Sequence, residues 1–138
     1  MTGAGEKKNK RQTGAYYERE AGRYLEQMGY EILEYNYRCR SGEIDIVAKD
    51  GEYVVFCEVK YRADGRKGNP LEAVDVRKQK VIFRSAMYYL SEHCLEDAPC
   101  RFDVIGIQGK DGSVKESCEK RRKFVHSALA GRGENMIR

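Results

Sequence analysis

Histidine is scarce in this chain, with two in 138 residues, and no Cys-x-x-Cys occurs. The five cysteines, Cys39, Cys57, Cys94, Cys100 and Cys118, are scattered and odd in number. A structural zinc site needs four such ligands at close spacing, and His93 beside Cys94 has nothing to complete a tetrahedron. No leader pattern opens the sequence, so the cysteines read as free thiols in a reducing cytosol rather than as a disulfide framework. No apolar run approaches the length that crosses a membrane. No repeat and no long linker divides the chain. No serine or cysteine sits in a recognisable triad setting, which leaves the serine and cysteine hydrolases without support.

What is present is charge of both signs: 26 Lys and Arg against 22 Asp and Glu, net +4. Basic residues gather near both ends, as Lys7, Lys8, Lys10 and Arg11 and again as Lys120, Arg121, Arg122 and Lys123. Such clusters are the footprint of a phosphate-backbone partner, although solvated faces carry the same pattern. The length suits one domain with its own core. The expected division is a basic disordered tail over 1–12, a single domain over 13–130 and a flexible tail over 131–138.

The most informative stretch runs from Gly42 to Lys60. Two runs rich in β-branched and aromatic residues flank Asp50-Gly51, the strongest short-range hairpin signal. A turn at Asp50-Gly51 pairs Lys49 with Glu52, Glu43 with Glu58 and Asp45 with Phe56. Side chains alternate faces along a strand, so Glu43, Asp45, Glu58 and Lys60 then share one face with Val47, Val54 and Phe56. Like charges opposite one another destabilise an antiparallel pair, and an unpaired buried carboxylate is costly. A hard divalent cation removes the conflict, since magnesium takes one or two carboxylates plus water and phosphate oxygen. Lys60 could then orient or deprotonate water, or stabilise charge on phosphate. The pattern therefore points to metal-assisted phosphodiester hydrolysis. The competing reading is a set of solvated charges neutralised by Arg38, Arg40 and Arg62.

These residues also carry a resemblance. An acidic residue on one strand followed by a hairpin into Glu58-Val59-Lys60 resembles the PD-(D/E)XK nuclease motif, with Ile44 where that motif's name has proline. Gly14, Glu18, Ala21, Tyr24-Leu25, Gly29-Tyr30, Gly42-Glu43-Ile44-Asp45, Phe56, Glu58-Val59-Lys60, Arg62 and Arg101-Phe102-Asp103-Val104, in that order, resemble the YraN family of small bacterial proteins. That family is similar in fold to archaeal Holliday-junction resolvases, and the resemblance spans residues from about 14 to 129. It implies an α/β restriction-endonuclease-like mixed sheet flanked by helices on both faces. It further implies Mg2+ or Mn2+ held by Asp45, Glu58 and the Val59 carbonyl, with Glu18 turned into the site. The implied partner is DNA, branched or otherwise structured. Resolvases act as dimers, so a homodimer is implied too, although this one chain shows no dimer face. The other class kept open is a catalytically silent nucleic-acid-binding or partner-recruiting module on the same fold.

The remaining residues fit around that frame. Tyr17, Ala21, Tyr24, Leu25 and Met28 recur at helical spacing over 13–28, and Gly29 stops the helix. Residues 30–38 read as a strand. Ile44, Ile46, Tyr53, Val55 and Val59 make the hairpin's other face apolar, which requires cover on both sides. Gly42 permits close chain approach. Arg62, Arg66 and Lys67 belong to a glycine-containing loop that is either substrate-facing or a plain connection. Asn69, Pro70 and Glu72 provide a helix start, and the helix runs to about residue 91. Its stripe of Leu71, Val74, Val81, Ile82, Ser85 and Tyr89 contains Lys78, which either snorkels to the rim or offers a second cation beside the site. Gln79 is a neighbouring candidate. Residues 101–108 read as a strand in which Asp103 makes a structural ion pair, and Phe124-Val125-His126 as a short last strand.

Overall fold

The computed structural model describes the backbone of residues 10–62, 76–110, 113–125 and 136–137, and the side-chain surroundings of residues 14–61 and 76–108. The elements are α1 (Lys10–Gln27), β1 (Glu31–Cys39), β2 (Gly42–Asp50), β3 (Tyr53–Arg62), α2 (Val76–Glu92), β4 (Pro99–Lys110), β5 (Ser113–Val125) and β6 (Met136–Ile137). The six strands form one sheet in sequential order. The β3–β4 pair is parallel and every other pair antiparallel, so the sheet is mixed.

A helix covers each face, as a sheet apolar on both sides demands. Ala21 and Leu25 of α1 pack with Tyr30, Ile46, Ala48, Val55, Cys57, Ile105 and Ile107. Ile82, Ala86, Tyr89 and Leu90 of α2 pack on the other side with Tyr37, Ile44, Val47, Val54, Phe56 and Val104. This is the α/β architecture expected. Met28 departs from the expected stripe and is exposed. The stop at Gly29 holds: its φ is +95°, its N–H donates to the Glu26 carbonyl at 3.0 Å, and Tyr30 N–H donates to the Leu25 carbonyl at 3.0 Å. Together these make a Schellman closure, which places glycine where a Cβ would be strained.

The β2–β3 hairpin forms, but its turn sits one residue later than expected. Asp50 pairs with Tyr53 and Lys49 with Val54, so Gly51 and Glu52 are the turn. Only Gly51 takes a positive φ, of 61°. That is the demand of a type II′ turn, whereas a turn at Asp50-Gly51 of type I′ needs two residues in that region. The slip preserves the faces, because side chains repeat every two residues, but it changes partners. Phe56 pairs with Val47, not Asp45, and Glu43 pairs with Arg38 of β1, not Glu58. Asp45 comes level with Glu58, one step beyond the last ladder pair, Ile46 with Cys57.

Alternation also fails level with Asp45. Asn36 has a φ of +55° and lies level with Asp45, where the β1–β2 register passes directly from Tyr35–Ile46 to Tyr37–Ile44. Tyr35 and Ile46 face α1, whereas Tyr37 and Ile44 face α2. Ile44 is thus on the opposite side from Ile46, contrary to strict alternation. The last expected strand was too short as well. The Lys120–Lys123 run lies within the long strand β5, whose ladder with β4 runs from Lys110–Ser113 to Pro99–Val125. Leu71, Val74 and the Asn69-Pro70 helix start lie outside the described residues, as does His126.

Candidate active site

Glu58 is the anomaly from which the site is built. It lies in the middle of β3 and is only 4% exposed. Its Oε2 sits 3.4 Å from Lys60 Nζ and 3.5 Å from Lys78 Nζ. Its Oε1 is buried with no hydrogen-bond partner. A buried acceptor left in this state costs about 1–3 kcal/mol, and more when charged. Lys60 reaches Glu58 because residues two apart on a strand share a face. Lys78 reaches it from the first turn of α2, so the lysine on the apolar stripe enters the pocket instead of only snorkelling to the rim.

Asp45 faces the same place from β2. Where the ladder ends, its Oδ2 accepts a hydrogen bond from Val59 N–H at 2.8 Å, taking the position of a strand carbonyl. Burial first, and the Glu58 charge second, push the Asp45 carboxyl up to about 8, against the opposing pull of the Val59 N–H. Without a cation this acid keeps its proton near neutral pH. Asp45 and Glu58 therefore do not aim to opposite sides of the sheet, and the Glu58 charge disfavours charge on Asp45.

Glu18 of α1 is half-buried and close enough to feel both Glu43 and Glu58. Burial and then the Glu43 charge raise its pKa, while Arg19 and Arg38 oppose the rise. Glu43 is exposed. In the amide orientation that satisfies both neighbours, Asn36 donates to Glu43 Oε1 at 3.0 Å and accepts from Arg38 at 3.1 Å. The sequence reading missed Asn36. The one available signal was its residue type, since asparagine tolerates the left-handed region better than most side chains. Gly42 has a φ of +152°, and a Cβ there would lie 2.5 Å from Val81 Cγ1, so its close approach is to α2. Gln79 is half-buried beside Lys78. The side chains of Lys7, Lys8, Lys10, Arg11, Arg62, Arg66 and Lys67 lie outside the described residues, although Lys10 and Arg11 belong to α1 and Arg62 ends β3.

No group of three or more His, Cys, Asp or Glu side chains is close enough to hold a metal among the described residues. The donors on hand are two carboxylates, Asp45 and Glu58, one with an orphaned oxygen. That set suits magnesium or manganese, which complete their shells with water and phosphate, better than a metal that needs an all-protein cage.

Residues 17–107 match the model of a family described as "Uncharacterised protein family UPF0102". Relatives bearing that family's name include one from Lachnoclostridium phytofermentans, 53% identical over 98 residues, covering 70% of this chain and 83% of that protein. One from Carboxydothermus hydrogenoformans is 44% identical over 103 residues, covering 75% and 87%. One from Pseudomonas syringae is 42% identical over 109 residues, covering 78% and 85%. The chain belongs to the UPF0102 family. This is the YraN family of the resemblance noted from the motifs. The matched UPF0102 span contains Glu18, Glu43, Asp45, Glu58, Lys60 and Lys78.

Proposed function

We propose that this protein is a metal-dependent endodeoxyribonuclease that hydrolyses phosphodiester bonds, acting on branched or otherwise structured DNA. What supports the reading is above all the orphaned Glu58 Oε1, buried beside the Asp45 carboxyl, whose pKa burial raises, and under two lysines. A fold does not keep an unmet acceptor among charges in its core for stability, and perturbed acids in such settings cluster at functional sites.

Asp45 and Glu58 would hold Mg2+ or Mn2+, with the Val59 carbonyl as a further ligand. The cation, when bound, supplies Lewis-acid polarisation of a phosphoryl oxygen and lowers the pKa of water. Lys60, as an ammonium, orients the attacking water and stabilises negative charge on the phosphate. Lys78 stabilises negative charge on the α2 side, and Glu18 and Glu43 hold water on the α1 side. Arg62, the last residue of β3, is placed in sequence to steady the phosphate.

The second reading is a nucleic-acid-binding module without turnover. It is favoured by the absence of a three-ligand metal cluster among the described residues. Magnesium and manganese titrated by calorimetry, with cleavage of branched, flapped and single-stranded DNA followed on a gel, separate the two. Metal-dependent cutting that disappears in Asp45→Asn supports the hydrolase. DNA binding with neither metal uptake nor cutting overturns it in favour of the module.

Among the described residues, no helix is long and apolar enough to cross a membrane.

A further inference from the structure

Beside the acidic pocket stands a group of tyrosines that the chemistry above does not use. Tyr17 precedes Glu18 on α1, and Tyr61 follows Lys60 on β3. Their rings lie 3.8 Å apart and 15° from parallel. Tyr16 meets Tyr17 edge-on, with centroids 5.0 Å apart. Aromatic pairs left to themselves prefer offset or edge-to-face arrangements over a face-to-face stack. This stack is held by a hydrogen bond between the Tyr17 and Tyr61 hydroxyls and by the packing of Tyr17 against the α1-side core. The hydrogen bond and burial raise the Tyr17 pKa to about 12, so the phenol stays neutral at working pH. The outer rings remain in water: Tyr61 is 39% and Tyr16 50% exposed.

Exposed, pre-aligned rings beside a pocket of carboxylates and lysines are what a base-stacking platform requires. Every base has a π-face, so such a platform grips an unpaired nucleotide whatever its sequence. A base inside a duplex is already stacked and offers no free face. Tyr61 points to the α1 face and Lys60 to the other, so the stack meets the pocket through Glu18, which follows Tyr17 on α1 and feels the Glu43 and Glu58 charges.

We propose that Tyr16, Tyr17 and Tyr61 form a stacking subsite for an unpaired nucleotide adjoining the Asp45–Glu58–Lys60 pocket, so that the DNA engaged there is single-stranded or splayed at that point. This rests on the reading that the protein acts on DNA and narrows its substrate class.

The test is anisotropy of a fluorescein-labelled oligothymidine, an abasic strand of equal length and a blunt duplex, each titrated with the full chain in EDTA so that no cutting occurs. The base-bearing strand is expected to bind more tightly than the abasic one. Tyr61→Ala is expected to weaken it by about 5- to 150-fold, whereas Tyr61→Phe, which keeps the ring, stays near wild type. The abasic strand and the duplex are expected to be indifferent to Tyr61→Ala. Equal binding of the abasic and base-bearing strands by the wild-type protein overturns the proposal, as does a Tyr61→Ala protein that binds like wild type. If circular dichroism shows Tyr61→Ala unfolded, Tyr16→Ala carries the same comparison, and unchanged affinity there overturns it. A stacking penalty of the expected size, with no metal-dependent cutting in a separate assay, sinks the hydrolase and leaves the subsite standing.

Discussion

Two groups of acids are set among the central strands of one sheet, and the protein treats them in opposite ways. On the α1 side, Asp103 is fully buried and completely answered. Arg101 donates from Nε to its Oδ1 at 2.8 Å and from a terminal nitrogen to its Oδ2 at 3.0 Å. The guanidinium also donates to Asp50 at 2.9 Å and to Tyr30 Oη at 2.6 Å, and Tyr30 Oη donates to Asp103 Oδ2 at 3.0 Å. Burial opposes the charge on Arg101, yet its bonds to Asp103 and Asp50 drive its pKa up. Near Lys60, Glu58 is almost as deeply buried but keeps one oxygen without a partner, and Asp45 beside it holds its proton. Burial alone therefore does not distinguish a structural acid from a functional one. Both acids have a countercharge within the chain, and the difference is that both Asp103 oxygens accept hydrogen bonds whereas one Glu58 oxygen does not.

The comparison breaks most sharply at the two cations. Lys60→Ala is expected to reduce metal-dependent DNA cutting by about 10²- to 10⁴-fold while changing stability by no more than about 1 kcal/mol, measured by single-turnover cleavage and calorimetry. Arg101→Met is expected to do the reverse. It leaves Asp103 as an uncompensated buried charge and costs about 3–5 kcal/mol of stability, read from urea unfolding. The cutting rate of the fraction that remains folded should be preserved. If Lys60→Ala unfolds the protein, or Arg101→Met leaves stability untouched, the two regions have been assigned the wrong way round.

Much of this contrast was legible in the residues, and the illegible part has a physical cause. Asp45, Glu58 and Lys60 stood out because charge interrupts strands of Val, Ile and Phe, and Asp103 stood out for the same reason. Moving the hairpin turn by one residue shifts the pairing register by two, which leaves Glu58 and Lys60 on the expected face because the side-chain period is two. Ile44 was misplaced because Asn36, in the neighbouring strand, takes a left-handed φ that alternation cannot anticipate. Strand β5 was read as a basic run because SVKESCEKRRKFV lacks an apolar alternation, and its pairing with β4 defines it instead. The Glu58–Lys78 ion pair and the Tyr17–Tyr61 stack join residues far apart in sequence, so neither is visible in any one segment.

The pH dependence sharpens the comparison further. Burial and the Glu58 charge push the Asp45 carboxyl in the folded chain up to about 8, well above the usual carboxylate range. The native state therefore holds a proton that the unfolded chain releases. Its contribution to stability is complete below about pH 4 and is lost as pH rises toward 8. Metal-free protein is expected to lose up to about 1.4 kcal/mol per pH unit across that window. Asp45→Asn, which can still accept from Val59 N–H, should remove that slope. Excess magnesium should stabilise the wild type more at pH 8 than at pH 6, because its ligands must be deprotonated. Identical slopes for wild type and Asp45→Asn would mean that Asp45 titrates normally and that the pocket carries no such tension.

The smallest expected effect concerns the second lysine. Lys78 is at the same distance from Glu58 as Lys60 within 0.1 Å, but its side chain is 40% exposed. Exposed ion pairs are worth about 0.2–1 kcal/mol, so Lys78→Met should change stability by no more than that. Lys78 also lowers the Asp45 pKa, so its loss should move the stability slope of the metal-free protein to higher pH. Cutting should fall less than in Lys60→Ala, because Lys60 arrives on the same rigid strand as Glu58 whereas Lys78 arrives on the first turn of a helix. If Lys78→Met were instead the more damaging substitution, α2 rather than β3 would supply the group that handles the attacking water. The part of the fold that positions the chemistry would then be the crossover helix, not the hairpin.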